Sequence, residues 1–108
     1  MENNQQKLFS ALSLCRRAAK LVMGFEAVAQ SVYEGSACLV LLAQDVSAGT
    51  EKRMRRVCED LAPCQKMPLA QIDLCPITRK KVGVYAVTDE NLATLCENAL
   101  KQQKEENA

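Results

Sequence analysis

The sequence predicts an α/β fold, a three-layer α/β/α sandwich around a four-stranded mixed, largely parallel sheet. Three observations lead there. Short apolar runs alternate with segments whose apolar residues recur at helical spacing. Cys38 to Ala43 is continuously apolar, the pattern of a strand covered on both faces. Gly24, Gly35, Pro63, Pro68 and Pro76 divide the chain into pieces of element length.

The first helix carries Leu8, Leu12, Cys15 and Ala19 at helical spacing, with Phe9 beside them and Lys7, Arg16, Arg17 and Lys20 on other faces. Leu21, Val22 and Met23 form a brief strand stopped by Gly24. A second helix turns Phe25, Val28, Ala29 and Val32 inward and ends at Gly35, a residue that accepts the left-handed conformation of a helix stop. Cys38 to Ala43 follows as the central strand. Residues 44–49 make a loop, and the Thr50 hydroxyl is placed to cap a third helix with the inner stripe Met54, Val57, Cys58 and Leu61. Pro63 ends that helix, and Cys64 to Met67 is the third strand. Leu69, Ile72 and Leu74 suggest a helical turn cut off before Pro76, because the residue preceding proline disfavours helix. Val82, Val84, Ala86 and Val87 mark the last strand. Thr88 or Asp89 caps a final helix with Leu92, Leu95, Cys96, Ala99 and Leu100 inward. Strands joined through helices are expected to run largely parallel, with the shortest free to pair antiparallel. One domain is expected over residues 1–108, with 102–108 a polar tail.

Composition narrows the chemistry. The 108 residues include no histidine, which removes Ser-His and Cys-His nucleophile pairs, His-ligated zinc and imidazole acid-base catalysis. The six cysteines contain no CxxC, so neither a zinc ribbon nor a thioredoxin-like motif is present. Without a signal-peptide pattern they read as small buried hydrophobes. No metal and no organic cofactor is implied. Gly24 opens neither a GxGxxG fingerprint nor a P-loop. No apolar run approaches the ~20 residues of a membrane span, so a soluble, cytoplasmic protein without membrane contact is expected.

Charge is more informative than its net value of +1. Lys7 to Lys81 holds 12 basic and 7 acidic residues, whereas Val82 to Ala108 holds 2 basic and 5 acidic. Lys52, Arg53, Arg55 and Arg56 cluster on one helix, and Arg79, Lys80 and Lys81 precede the last strand. Two basic patches near loops at one end of a sheet form an electrostatic footprint for nucleic acid. Asp45 stands at the carboxyl end of the central strand, where open α/β folds place functional residues, although a lone aspartate there is more often a turn or cap.

Arg16 to Ser47, "RRAAKLVMGFEAVAQSVYEGSACLVLLAQDVS", resembles the L-seven-Ae and L-thirty-e ribosomal protein superfamily, in particular its small bacterial YlxQ-like branch. The resemblance rests on Ala19 to Gly24, the interval from Gly24 to Gly35, "AxLVLLAxD" from Ala37 to Asp45 and "VxAVTD" from Val84 to Asp89. It implies the three-layer fold and binding of structured RNA, often a kink-turn, through the start of the second helix and two neighbouring loops. Gly24 matches the glycine of the family's G-x-N-E-x-x-K motif, while Glu26, Ala27 and Gln30 stand where that motif has asparagine, glutamate and lysine. Asp45 and Val46 match its loop after the central strand, and Thr78 to Val82 fall near its last RNA-facing loop. A carboxylate at position 26 repels phosphate and Gln30 lacks the anchoring charge, so general RNA affinity is expected more than kink-turn selectivity.

The expected function is therefore a non-enzymatic RNA-binding protein associated with the ribosome or translation. Gly24, Glu26, Gln30, Asp45, Val46, Lys52, Arg79, Lys80 and Lys81 are its candidate site. The expected partner is structured, ribosomal RNA, with ribosomal or translation proteins nearby. Two other readings compete: a protein-interaction adaptor on the same fold, favoured by Glu26, Ala27 and Gln30, and a cysteine-dependent enzyme using Cys75.

Overall fold

The computed structural model describes residues 4–107, with side chains from 5 to 101. Its elements run α1 (Asn4–Arg17), β1 (Leu21–Met23), α2 (Phe25–Tyr33), β2 (Leu39–Leu42), α3 (Ala48–Cys58), β3 (Cys64–Lys66), α4 (Gln71–Thr78), β4 (Val84–Val87) and α5 (Glu90–Asn107). The four strands form one mixed sheet in the order β1-β4-β2-β3.

Alternation along the two inner strands builds both faces of the sheet. Leu39 and Leu41 of β2, with Tyr85 and Val87 of β4, face α1, α4 and α5 and meet Leu8, Leu12, Leu74, Ile77 and Cys96. Val40 and Leu42, with Val84 and Ala86, face α2 and α3 and meet Val28, Val32, Met54 and Cys58. Every residue of β2 and β4 is buried, as the continuous apolar run predicts. Each such Leu or Val side chain contributes about 1.5–3 kcal/mol of burial. The Tyr85 hydroxyl, the one polar atom this pattern carries inward, donates to Val82 O.

The expectation of a largely parallel sheet needs correction at β4. β1, β2 and β3 do point the same way, but β4 is inserted between β1 and β2, antiparallel to both, leaving β2·β3 as the one parallel pair. The reversed strand is the last one, not the shortest. Its direction follows from where the chain goes after β3. Gln44 N donates to Leu69 O, Gln71 N to the Asp45 carboxylate and Ala43 N to Gly83 O. The chain thus stays at the end where β2 finishes, and a strand starting there must run back against it.

Several boundaries differ from the sequence expectation. α3 is capped by Ser47, whose Oγ accepts from Thr50 N at 3.1 Å, so Thr50 lies inside the helix and supplies the amide. α3 ends at Cys58, before Pro63, with Glu59 at φ 34, and Leu61 beyond it is exposed. α4 does not stop before Pro76 but includes it, with Ile72 outward; the ring removes the N–H that would bond the carbonyl of exposed Ile72. Asp89, not Thr88, caps α5 by accepting from Leu92 N at 2.9 Å. Ala93 rather than Leu95 faces the core from that helix. α5 continues through residues 102–107, expected as a polar tail, whose side chains lie outside the described residues.

Candidate functional site

Three helices begin at the end of the sheet where β1, β2 and β3 finish. A shallow groove of about 540 Å³ opens there, lined by Gly24 and Phe25 at the start of α2, Ser47 and Thr50 at the start of α3, Gln71 at the start of α4, Asp45 and Val46 between β2 and α3, and Lys80 to Val84 before and into β4. Each helix start carries about half a positive charge from its aligned peptides.

Two of these starts are satisfied by side chains. Ser47 caps α3, and its hydroxyl also donates to Thr50 Oγ1 at 2.9 Å. For α4, Asp73 accepts from Ala70 N at 2.9 Å and Asp45 Oδ1 from Gln71 N at 3.0 Å. The start of α2 has no side-chain cap, because its N-cap is Gly24. Gly24 adopts φ 96, ψ 147, a region open essentially to glycine. A Cβ there would meet nothing within 4 Å, so backbone conformation, not space, selects the residue. The opposite holds at Gly83, where a Cβ would lie 3.1 Å from Val46 Cγ2; that close approach forms the groove floor.

Lys80 and Lys81 supply the formal positive charge. The buried Thr78 hydroxyl donates to Lys80 O and fixes the turn carrying them, and neither lysine makes an ion pair among the described residues. The Gln71 amide, aided by the nearby Lys81 ammonium, holds the Asp45 carboxyl below its ordinary value, so it is ionised at neutral pH. Asp45 thus acts as the remote cap of α4 as well as a groove residue. On the rim, the Arg53 guanidinium lies over the Phe25 ring, 4.3 Å from its centroid.

Of the residues expected from sequence, the fold brings Gly24, Asp45, Val46, Lys80 and Lys81 into this groove. Glu26, Gln30 and Lys52 are exposed outside its lining. The Gln30 amide donates to Glu34 Oε1 at 2.8 Å, spending its polar end along its own helix. Arg79, in a left-handed conformation at the end of α4, turns away to a separate hollow with Arg16 and Arg17. Sequence reasoning missed Phe25, Ser47, Thr50, Gln71, Gly83 and Val84 as lining residues. The one signal that was available is the helix-start chemistry after each strand.

Four of the six thiols are held in the protonated form. Burial pushes Cys58 up to about 12 and raises Cys64 and Cys38. A hydrogen bond to Cys15, with burial, raises Cys96. Among the described residues no group of three His, Cys, Asp or Glu side chains is placed to hold a metal ion, and no helix is long and apolar enough to cross a membrane.

Residues 6–104 match the model of the "Ribosomal protein L7Ae/L30e/S12e/Gadd45 family". The chain belongs to that family. It is 31% identical over 90 residues to the "RNA-binding protein YlxQ" of Bacillus subtilis (strain 168), covering 79% of this chain and 86% of that protein. It is 26% identical over 93 residues to the protein of the same name from Enterococcus faecium, covering 85% and 89%. Among solved structures it is similar to a protein of unknown function from Bacillus halodurans C, with a TM-score of 0.81 and 26% identity over 88% of this chain and 97% of that one. The Giardia lamblia 15.5kD RNA binding protein shares the fold at a TM-score of 0.74 and 16% identity, over 97% of this chain and 91% of its own. The family and the relatives' names indicate a protein that is not an enzyme.

Proposed function

We propose that the chain binds structured RNA at this groove, in association with the ribosome or translation. The observation that carries the reading is the uncapped start of α2 facing Lys80 and Lys81. Helix-start amides without a side-chain cap, and two ammonium groups that make no ion pair among the described residues, suit a phosphate backbone across one groove, to which both donate. The names of the bacterial relatives point to the same ligand. Glu26, in the first turn of α2, opposes an anion there, and Gln30 is engaged with Glu34, so selectivity for a kink-turn is weak.

Filter binding across a salt series tests both parts. Wild type binds structured RNA at low salt and weakens steeply toward physiological salt. Lys80→Gln with Lys81→Gln lowers the slope of log K against log salt by about 2, from ~0.9 per phosphate contact. Glu26→Asn with Gln30→Lys strengthens binding to a kink-turn by ~1–3 kcal/mol over a straight duplex of equal length. No binding at low salt overturns the RNA reading in favour of a protein-interaction adaptor. Equal gain on both RNAs moves kink-turn contacts away from α2.

A further inference from the structure

We propose that the furrow between α2 and α3 seats an unpaired nucleobase, so that a single-stranded flank of the bound RNA leaves the groove across Phe25 and stacks on Tyr33 between Arg53 and Arg56. This rests on the RNA reading of the groove and adds a second contact of different chemistry.

The furrow, about 290 Å³, is lined by Phe25, Tyr33, Arg53, Arg56 and Val57. Phe25 also lines the groove, so the two surfaces are continuous. The sequence has four aromatic residues. Tyr85 is buried and Phe9 packs against the core on the opposite face of the sheet, which leaves the other two here. Tyr33 is 65% exposed, an unusual position for a large ring, most of whose surface its neighbours leave open.

The arginines have been sorted by the fold. Arg55, from the same basic run, is occupied: its Nε pairs with Glu51 at 3.0 Å and its Nη1 donates to Cys64 O at 3.0 Å. Arg53 lies on Phe25, and neither it nor Arg56 makes an ion pair among the described residues. No carboxylate lines the furrow. Two guanidinium groups and an exposed phenol ring offer flat faces for a base and donors for its phosphate, the combination by which unpaired nucleotides are held. A purely apolar peptide would leave both guanidinium groups unmatched, and a small anion would make no use of the rings.

The test is fluorescence anisotropy of the full chain with labelled RNAs of three kinds: a structured hairpin, the hairpin with a short single-stranded adenosine tail at either end in turn, and the hairpin with the same tail without bases. The tail is expected to strengthen wild-type binding roughly tenfold, the effect of one stacked base, and the abasic tail to give little of that. Tyr33→Leu loses the gain while binding the tail-free hairpin as wild type does, and Tyr33→Phe, which keeps the ring, retains it. An abasic tail that helps equally, or a gain that survives Tyr33→Leu, overturns the proposal. So does a base-bearing tail that adds nothing, and the groove reading then still stands on tail-free binding. Failure of the tail-free hairpin to bind at low salt overturns the groove reading, and this proposal with it.

Discussion

Asp45 shows how one side chain serves both shape and charge. Its carboxylate accepts from Gln71 N, 26 positions along the chain, and so ties the loop after β2 to the start of α4. That bond lowers its pKa, which fixes the sign of a pH effect. The folded value lies below the unfolded one, about 3.9, so its contribution is complete above that pH and is lost as pH falls through the folded value. Thermal midpoints of wild type and Asp45→Asn should therefore differ at neutral pH and converge below about pH 4; a constant gap would remove the charge from the explanation. Gly24, Asp45, Val46, Lys80 and Lys81 were legible because residue type and family motif mark them. Phe25, Ser47, Thr50 and Gln71 were not, because only the folded chain brings three helix starts together. Arg79 stands in one basic run with Lys80 and Lys81 and its guanidinium reads as the stronger phosphate contact, yet the left-handed turn at the end of α4 sends its side chain elsewhere.

At the level of elements, the strands were legible, and of α4 its presence was legible but its course through Pro76 was not. Leu39 to Leu42 is apolar at every position because both faces are covered, and that pattern survives any arrangement of neighbours. The α4 segment carries a proline that argues for a break. Packing of Leu74 and Ile77 into the core overrides that preference. Replacing Pro76 by Ala restores an amide for the Ile72 carbonyl and removes a ring clash, worth about 3 kcal/mol in a helix interior. Loss of the proline's restraint on the unfolded chain offsets about 0.4–1 kcal/mol of this. Denaturant melts of Pro76→Ala should show a net gain of about 2 kcal/mol. A loss would mean that contacts of the ring beside Phe9 and Ile77 outweigh the helix.

For the whole molecule, the sheet order sets where stability resides. β2 and β4 are the inner strands, buried on both faces, whereas β1 and β3 are edges of three residues each. Amide exchange should be slowest at Leu39–Leu42 and Val84–Val87, following global unfolding, and faster at Leu21–Met23 and Cys64–Lys66. Uniform protection across the four strands would contradict this ranking. The three-layer plan was legible from the alternation of elements. The seat of β4 was not, since it depends on how the chain turns after β3 rather than on the composition of the strand. That seat also orders events during synthesis. β1 has no sheet neighbour except β4, and the groove needs Gly24 at its margin and Gly83 in its floor. A nascent chain that has emerged only as far as α4 thus has its first strand unpaired and its groove without a floor. On the RNA reading of the groove, binding requires the last strand to be synthesised and seated between β1 and β2.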